Sequence, residues 1–455
     1  MEGLIYRLDQ RPRGGALWLS TLQWFMFTLA NIITVPIVVG HAFHLSAAGI
    51  AMFTERTFFV CGVIGFLQAW LGHRFPVIEG PAGMWWGVFL VLVQMAVDKG
   101  QSLGVLLQEL ELGLMVGGLV FIVLGVSGQL GRVRRLFTPA VTGTFLILVA
   151  LQVAHSLVEG VLGIGFRGRE TVAPEVAGLS VLVLAVAMGL MFKARGMVQS
   201  ISVLIGLGCG WVLFSVFGLV DAPVADTPWV ALPSLLPFGP PKWNLGVCLT
   251  GAITGGILLS NLIASLQALA AAAGEQVTDQ RLSRGALMTG VGTLLTGLFG
   301  VVGMVPLSSC AGLVSLTRMA SRLPFMVASI AVALLGFFPT VGQWAATLPS
   351  PVGYAILFVV FAQMIGFGLR DYRSMSLDQR DVLVIGISLT AAVGVFAVPA
   401  TAWNGLPPVL GYVLDNGLIV GILLVLLFEH VLLRRPQATV SPESSLGINQ
   451  APNVD

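Results

Sequence analysis

The chain has 455 residues, of which 56% are hydrophobic and only 10% are charged. A soluble globular protein is about 25% charged, so this chain could not keep a water-facing surface polar, and soluble enzymes are excluded. The net charge of +2 offers no basic surface for DNA or RNA, which excludes nucleic-acid partners. A mean hydropathy of +0.94 agrees. The composition is that of a membrane protein.

Fourteen stretches of the chain meet or approach the length of about 20 mostly apolar residues that a membrane-spanning helix needs. They are rich in Leu, Val, Ala and Gly and lack polar alternation, so they predict helices rather than barrel strands. We therefore expect an all-α polytopic protein in the lipid bilayer. The predicted spans are 17–39, 49–71, 75–97, 106–127, 137–157, 176–192, 198–219, 246–272, 285–303, 305–317, 324–345, 351–369, 382–400 and 412–433.

The basic residues sort to one side of these spans. With the N-terminus inside, 18 of the 23 Lys and Arg residues fall on the cytoplasmic side, as the positive-inside rule requires. This distribution predicts an inner (plasma) membrane protein with both termini in the cytoplasm. The five basic residues assigned to the outer side are Arg56, Lys99, Arg167, Arg169 and Lys242.

The third and tenth spans differ from ordinary spans. The third contains Gly80, Pro81 and Gly83 in its interior, and the tenth, 305–317, is too short to cross about 30 Å as a helix. A Pro-rich outer linker at 221–245 divides the chain into two seven-span halves, and each broken span is the third of its half. Since seven is odd, the halves enter the membrane from opposite sides, as inverted repeats do. Matched breaks indicate a transport site, whereas ordinary kinks in packed helices are the alternative reading.

Glu79 is the one acidic residue that we place well inside a span, next to the break in the third. A carboxylate inside the membrane costs about 3 kcal/mol or more unless it is neutralised or paired, so it indicates function. It suits a proton carrier or a hydrogen-bond partner for a heterocycle. The alternative places Glu79 at the cytoplasmic mouth, paired with His73 or Arg74.

Other polar and aromatic residues of the spans are candidates for the same site. Gln23 and Asn31 lie about two turns apart on the first span, and Asn261 and Ser265 share a face of the eighth. Such residues also make ordinary interhelical hydrogen bonds in membranes. The histidines and cysteines lack metal-ligand spacing, so no metal or other cofactor is expected. The aromatic residues that can stack on a planar ligand, or belong to the lipid belt, are Trp24, Trp85, Trp86 and Phe361.

Several stretches form an ordered pattern along the chain. They are 22–36 in the first span, 139–144 at the start of the fifth, 309–318 in the tenth, and 348–353 with 366–370 around the twelfth. In this order and spacing the chain resembles the nucleobase–ascorbate transporter family, also called nucleobase:cation symporter-2, which includes bacterial uracil and xanthine permeases. Within the tenth-span stretch, Gly312, Thr317 and Arg318 fit the family motif.

The resemblance implies two inverted seven-span repeats with short strands in spans three and ten. It also implies a core domain that moves against a gate domain to give alternating access. Family members import nucleobases with a proton or sodium gradient, of which the proton is the first choice for this chain. The resemblance also implies a homodimer through the gate domains. The implied division is 1–16 N-terminus, 17–130 and 246–345 core, 131–220 and 346–435 gate, 221–245 linker, and 436–455 disordered cytoplasmic tail.

The sequence departs from the family at its usual anchors. Asn261 stands where the family has a substrate-binding acid in the eighth span. Ser309 stands where the tenth-span motif opens with Glu or Gln, and Cys310 stands where that motif continues with Asn. Trp24 stands where the first span of the family has His. Our hypothesis is that Glu79 binds substrate or proton, while Asn261 and Ser309 supply neutral hydrogen bonds.

The leading functional prediction is a secondary transporter that imports a purine or a uracil- or xanthine-type base. Loss of two acidic positions keeps an anion carrier of sulfate or carboxylate type open on the same fold. The sequence has no nucleophile–base spacing that would indicate an enzyme, and it has no Walker A motif that would indicate an ATP-driven pump. The predicted substrate-binding residues are Glu79 (also the proton-coupling candidate), Gly83, Met84, Asn31, Asn261, Ser265, Ser308, Ser309, Cys310 and Phe361, with Gln23, Trp24, Gly312 and Thr317 as structural neighbours of the site.

Overall fold

The computed structural model describes residues 4–130, 135–195, 197–200, 202–220, 229–399, 402, 414 and 416–434. The first part of the predicted linker and the predicted disordered tail lie outside the described residues. The described chain is mostly helical, as expected for apolar segments that must satisfy their backbone hydrogen bonds internally in a bilayer.

The helices follow the apolar runs of the sequence. In the first half they are α1 (Gly15–Ile32), α2 (Thr34–Ala42), α3 (Ala47–Trp70), α4 (Gly83–Asp98), α5 (Leu103–Ser127), α6 (Pro139–Val161), α7 (Pro174–Lys193), α8 (Met197–Ser200) and α9 (Ser202–Val216). In the second half they are α10 (Leu245–Ala273), α11 (Asp279–Leu298), α12 (Ser309–Thr317), α13 (Arg322–Leu335), α14 (Pro339–Ala346), α15 (Ser350–Arg373), α16 (Gln379–Phe396) and α17 (Gly417–Leu427). Two short strands, β1 (Glu79–Pro81) and β2 (Met304–Pro306), precede α4 and α12.

Eight described helical segments are long and apolar enough to cross a membrane. The first combines α1 and α2, and the others are α3, α5, α6, α7, α10, α15 and α16. A further candidate is the pair α13 and α14, which bends by 80°. Shorter apolar helices occupy Gly83–Asp98, Ile205–Val216 and Gly417–Leu432. The prediction of a helical multi-pass membrane protein is confirmed at this level.

The helices pack in two groups. The first group contains α1–α5 and α10–α14, and the second group contains α6–α9 and α15–α17. Small residues allow close approach within the first group: a Cβ built on Gly251 of α10 would lie 2.1 Å from the carbonyl oxygen of Gly113 on α5, a packing mode common in membrane helices. The groups meet chiefly where α4 packs on α6 and α2 packs on α15.

The first group also buries charged residues other than Glu79. Arg56, predicted on the outer side, is 3% exposed within α3, beside Glu55 at 5%, and Glu111 of α5 is 1% exposed. Glu79 is therefore one of several buried acidic residues in the predicted spans, and its depth in the membrane stays a prediction. Phe238 of the linker packs on the Arg56 guanidinium, 5.5 Å from the ring centroid. Hydropathy alone could not reveal that the linker folds over these helices and covers their charges.

Candidate functional site

The two broken spans meet at an antiparallel strand pair. In this pair Glu79 lies opposite Pro306, Gly80 opposite Val305 and Pro81 opposite Met304, and all six residues are buried. Backbone bonds continue the pairing on both sides, from the Leu307 N–H to the Ile78 carbonyl at 3.0 Å and from the Ala82 N–H to the Gly303 carbonyl at 3.0 Å. The strand pairing satisfies unwound backbone that lipid could not, and the strands expected in spans three and ten are present.

Each strand leads into the N-terminus of a helix. α4 begins at Gly83 and α12 at Ser309, and neither N-cap residue, Ala82 or Ser308, makes a side-chain cap hydrogen bond. The first N–H groups of a helix lack intrahelical partners and carry the positive end of the helix dipole. In the antiparallel pair, α4 begins beyond the Pro81–Met304 end and α12 begins beyond the Glu79–Pro306 end, so the two helix N-termini lie at opposite ends of the strand pair. That arrangement favours a ligand with carbonyl oxygens or negative charge.

Aromatic rings form one wall beside the α4 N-terminus. Trp86 and Phe361 lie with ring centroids 5.4 Å apart, and the Trp86 indole Nε1 is buried without a hydrogen-bond partner. A Cβ built on Gly83 would lie 3.4 Å from that Nε1 and 3.5 Å from Met364 Sδ. The predicted site residues Gly83 and Phe361 therefore lie on facing helices, with the half-buried Met84 next along α4.

Hydroxyl groups border open space beside the α12 N-terminus. Ser308 and Ser309 are exposed, and a Cβ built on Gly312, one turn further along α12, would meet no atom within 4 Å. Thr317, near the other end of the helix, donates its hydroxyl to the Leu313 carbonyl at 2.8 Å. The predicted serines thus lie at a crevice, whereas Thr317 completes α12.

α10 supports the second strand from behind. The Ser265 hydroxyl lies 2.9 Å from the Pro306 carbonyl and 3.2 Å from Asn261 Oδ1. Ser265 is fully buried, while Asn261 is half-buried and Ala264 between them is exposed. Ser265 therefore holds β2 and orients the Asn261 amide at the crevice edge.

Glu79 faces the interior of the first group. It is 1% exposed, and its Oε1 accepts a hydrogen bond from Gln68 Nε2 at 3.0 Å. The same Gln68 nitrogen lies 2.9 Å from Thr289 Oγ1 and 3.2 Å from the Gly285 carbonyl. Glu79 Oε1 lies 3.7 Å from His73 Nε2, whereas Arg74 is exposed. The carboxyl group is thus held between α3 and α11, on the side of β1 that these helices cover.

Cys310 and the first-span candidates occupy packed positions. Cys310 is 0% exposed, and its Sγ accepts a hydrogen bond from the Ile78 N–H at 3.3 Å. The Asn31 amide donates to the Phe27 carbonyl at 2.7 Å and is half-buried, as is Gln23. Trp24 is 2% exposed and packs edge-on against another aromatic ring. Trp24 is therefore an interior contact between α1 and α13.

Two residues of the Glu79 network, Gln68 and Thr289, were not predicted from the sequence. The usable signal for Gln68 was a lone Gln among apolar residues in the last turn of α3. Thr289 gave none, because Thr is ordinary in membrane helices. Within the residues that the structure describes, no three His, Cys, Asp or Glu side chains are grouped to hold a metal ion.

A helical membrane fold whose two strand-paired breaks place helix N-termini at a crevice defines a transporter-type permease. The sequence model of the "Permease family", covering xanthine and uracil permeases, matches residues 15–401. The chain belongs to this family, nucleobase:cation symporter-2, whose members are permeases and not enzymes.

Curated relatives extend along nearly the whole chain. YwdJ of Bacillus subtilis (strain 168) is 36% identical, and the alignment covers 90% of this chain and 94% of YwdJ. Its name assigns it provisionally as a purine permease. The uric acid permease PucK of the same organism is 26% identical, with 89% and 93% aligned. The xanthine permease XanQ of Escherichia coli (strain K12) is 25% identical, with 94% of each chain aligned.

Solved structures share the fold at low sequence identity. The transmembrane domain of the cyanobacterial bicarbonate transporter BicA has a TM-score of 0.54 at 15% identity and covers 90% of this chain and 98% of its own. The structure of SLC26A9 has a TM-score of 0.63 at 11% identity, with 90% and 65% covered. These similarities establish the type of fold.

Proposed function

We propose that this permease is a secondary active transporter that imports a nucleobase, of purine or uracil/xanthine type, by alternating access with proton symport. The observation that carries the proposal is the crevice at the strand pair. It combines the Trp86–Phe361 aromatic wall with an unpartnered indole N–H, two uncapped helix N-termini, and the hydroxyls of Ser308 and Ser309. A planar base with ring N–H and carbonyl groups complements each of these surfaces.

In this proposal the protein has fourteen spans in two inverted repeats, in the plasma membrane with both termini in the cytoplasm. Support comes from the helices, because every predicted span overlaps at least one described helix. The proposed core domain, 17–130 and 246–345, contains the first helix group, and the proposed gate domain, 131–220 and 346–435, contains the second, apart from the residues at the junction. The homodimer through the gate domains belongs to the same proposal.

We assign proton coupling to Glu79 on the strength of its position. Glu79 pairs with Pro306 of β2, and its carboxyl group is buried against a neutral donor, Gln68. Uptake or release of a proton at this carboxyl changes a contact that fixes β1 between α3 and α11. The crevice polar groups Asn261, Ser308 and Ser309 remain neutral and contact the base.

Uptake into proteoliposomes tests the function. Purified protein should accumulate at least one radiolabelled purine or uracil when the interior is alkaline, and unlabelled bases should compete. Glu79→Gln keeps an acceptor for Gln68 but cannot ionise, so it should lose gradient-driven accumulation and retain base exchange. Wild-type accumulation by Glu79→Gln, driven by the proton gradient as before, excludes Glu79 as the proton carrier.

An anion of sulfate or carboxylate type is the second candidate cargo. The observation that favours it is the pair of uncapped helix N-termini, which attract negative charge, beside an Asn at position 261. Calorimetric titration of the purified protein with purines, sulfate and small carboxylates separates the two. Binding of sulfate or carboxylate without any base overturns the nucleobase assignment.

A further inference from the structure

A second cavity lies at the end of the molecule where α2 and α6 end and α15 begins. Its volume is about 290 Å³. We call it the vestibule, and both helix groups line it: His41, His44, Gly160, Phe166, Ser350 and Tyr354. Tyr354 and the crevice residue Phe361 are seven positions apart on α15, which at 1.5 Å per residue is about 10 Å along the helix. The vestibule is therefore a separate space beside the same helix.

The lining of the vestibule suits a planar heterocycle. His41 and His44 contribute imidazoles from the first helix group, and Phe166 and Tyr354 contribute rings from the second. His41 Nε2 lies 3.1 Å from the Leu348 carbonyl, which fixes one imidazole at the rim. Aromatic faces with polar edges bind flat ligands that also carry ring hydrogen-bond groups.

A glycine makes room for the tyrosine ring. A Cβ built on Gly160 would lie 2.1 Å from Tyr354 Cγ, so the ring lies directly on the bare backbone of α6. Any side chain at Gly160 would push the ring into the cavity. The volume lies near the lower end of small-molecule pockets, about 300–1,000 Å³, which suits a one- or two-ring base rather than a larger ligand.

Tight contacts between the helix groups separate the vestibule from the crevice. A Cβ built on Gly353 of α15 would lie 2.9 Å from Val38 Cγ2 on α2, and one built on Gly87 of α4 would lie 2.2 Å from Val149 Cγ1 on α6. The glycines let the two groups close against each other between the two spaces. A base reaching the crevice from this end has to pass the vestibule and then this barrier.

We propose that the vestibule is a second binding site for planar nitrogen heterocycles, where the transported base is held before the barrier opens. The proposal rests on the proposed nucleobase transport, and it places the vestibule on the outer side under the predicted topology. Binding there raises the local concentration of the base at a barrier that opens only transiently. His44, Phe166 and Tyr354 supply the contacts.

Site-directed labelling tests the vestibule directly. In a Cys209→Ser background, Ser350→Cys places a thiol in the cavity. Glu170→Cys places a matched thiol outside its lining, at an exposed residue of the loop that follows α6. Intact cells are treated with a membrane-impermeant maleimide in the presence of xanthine, uric acid or uracil. We expect a base that is transported to slow labelling of Ser350→Cys about fivefold or more at saturation, and to leave the labelling of Glu170→Cys unchanged.

Two further variants separate the vestibule from the crevice. With Gly83→Leu filling the crevice, protection of Ser350→Cys should persist. With Tyr354→Leu it should be lost, and Tyr354→Phe, which keeps the ring and serves as the folding control, should restore it. Two results would refute the vestibule as a binding site while leaving nucleobase transport intact. One is loss of protection in the Gly83→Leu variant, and the other is normal base uptake by Ser350→Cys without protection of its thiol. Absence of uptake of every base by the wild type instead overturns the proposed function.

Discussion

Gln68→Met should destabilise the protein through the loss of one side-chain amide. Gln68 Nε2 lies within hydrogen-bond distance of Glu79 Oε1 (3.0 Å), Thr289 Oγ1 (2.9 Å) and the Gly285 carbonyl (3.2 Å). Met has a similar length and a similar helix propensity, so packing changes little. The variant therefore isolates the polar contacts that join α3, β1 and α11.

The magnitude follows from the hydrogen bonds of this amide. The Nε2 group has two hydrogens and therefore donates two bonds among its three neighbours, and Oε1 accepts one from the His73 N–H at 3.4 Å. At about 1 kcal/mol for each neutral hydrogen bond, the set contributes about 2–3 kcal/mol. An unfolding entropy of about 2.1 cal/mol/K per residue gives this chain about 1 kcal/mol per kelvin, so the expected fall in the thermal midpoint is about 2–3 °C.

The assay is thermal unfolding of purified protein in detergent, followed by intrinsic tryptophan fluorescence. Gln267→Met is the matched control, because Gln267 is exposed on α10 and should change the midpoint little. A midpoint for Gln68→Met equal to that of Gln267→Met refutes the assignment of Gln68 as the residue that holds Glu79.

Three further variants test other contacts. Ser265→Ala removes the hydrogen bond to the Pro306 carbonyl, so equilibrium dialysis should show that the base binds about fivefold to tenfold more weakly. Unchanged affinity would show that β2 does not contribute to base binding. Gly87→Ala should slow uptake because its Cβ would press on Val149, and adding Val149→Ala should restore the rate. A double variant that transports as slowly as Gly87→Ala would contradict the barrier. Arg56→Met removes the guanidinium contacts with Ser234 Oγ and the Phe238 ring, which contribute about 2 kcal/mol together, so its thermal midpoint should fall by about 2 °C. A wild-type midpoint would contradict a structural role for this side chain.

The broken spans could be predicted because their departure from a spanning helix is written in local residue types. Gly80, Pro81 and Gly83 interrupt one apolar run, and the other is simply short. The structure places strands there, and their register of Glu79 opposite Pro306 could not be read from either segment alone. A register joins positions more than 200 residues apart, and no local pattern specifies it.

The direction of side chains was harder to predict than their depth. Glu79 is buried at the broken span, next to the break that the sequence identified. Its orientation towards Gln68 depends on how α3 and α11 pack behind β1, which is tertiary information. The burial of Arg56 could not be predicted for the same reason, since its cover comes from Phe238 in the linker. Single-residue hydropathy reports the cost of burial and does not report which neighbour offsets that cost.

The orientation of Glu79 has a consequence for the proposed symport. A carboxyl held by Gln68 behind β1 does not need to touch the base to affect it. The strand pair provides the connection, because Glu79 is opposite Pro306, the Pro306 carbonyl contacts the Ser265 hydroxyl, and that hydroxyl contacts the Asn261 amide at the crevice edge. Such a contiguous set of contacts can transmit a change at one site to another when its elements have two arrangements. Proton and base would then be coupled through the position of the strands, and a neutral crevice remains compatible with proton-driven transport.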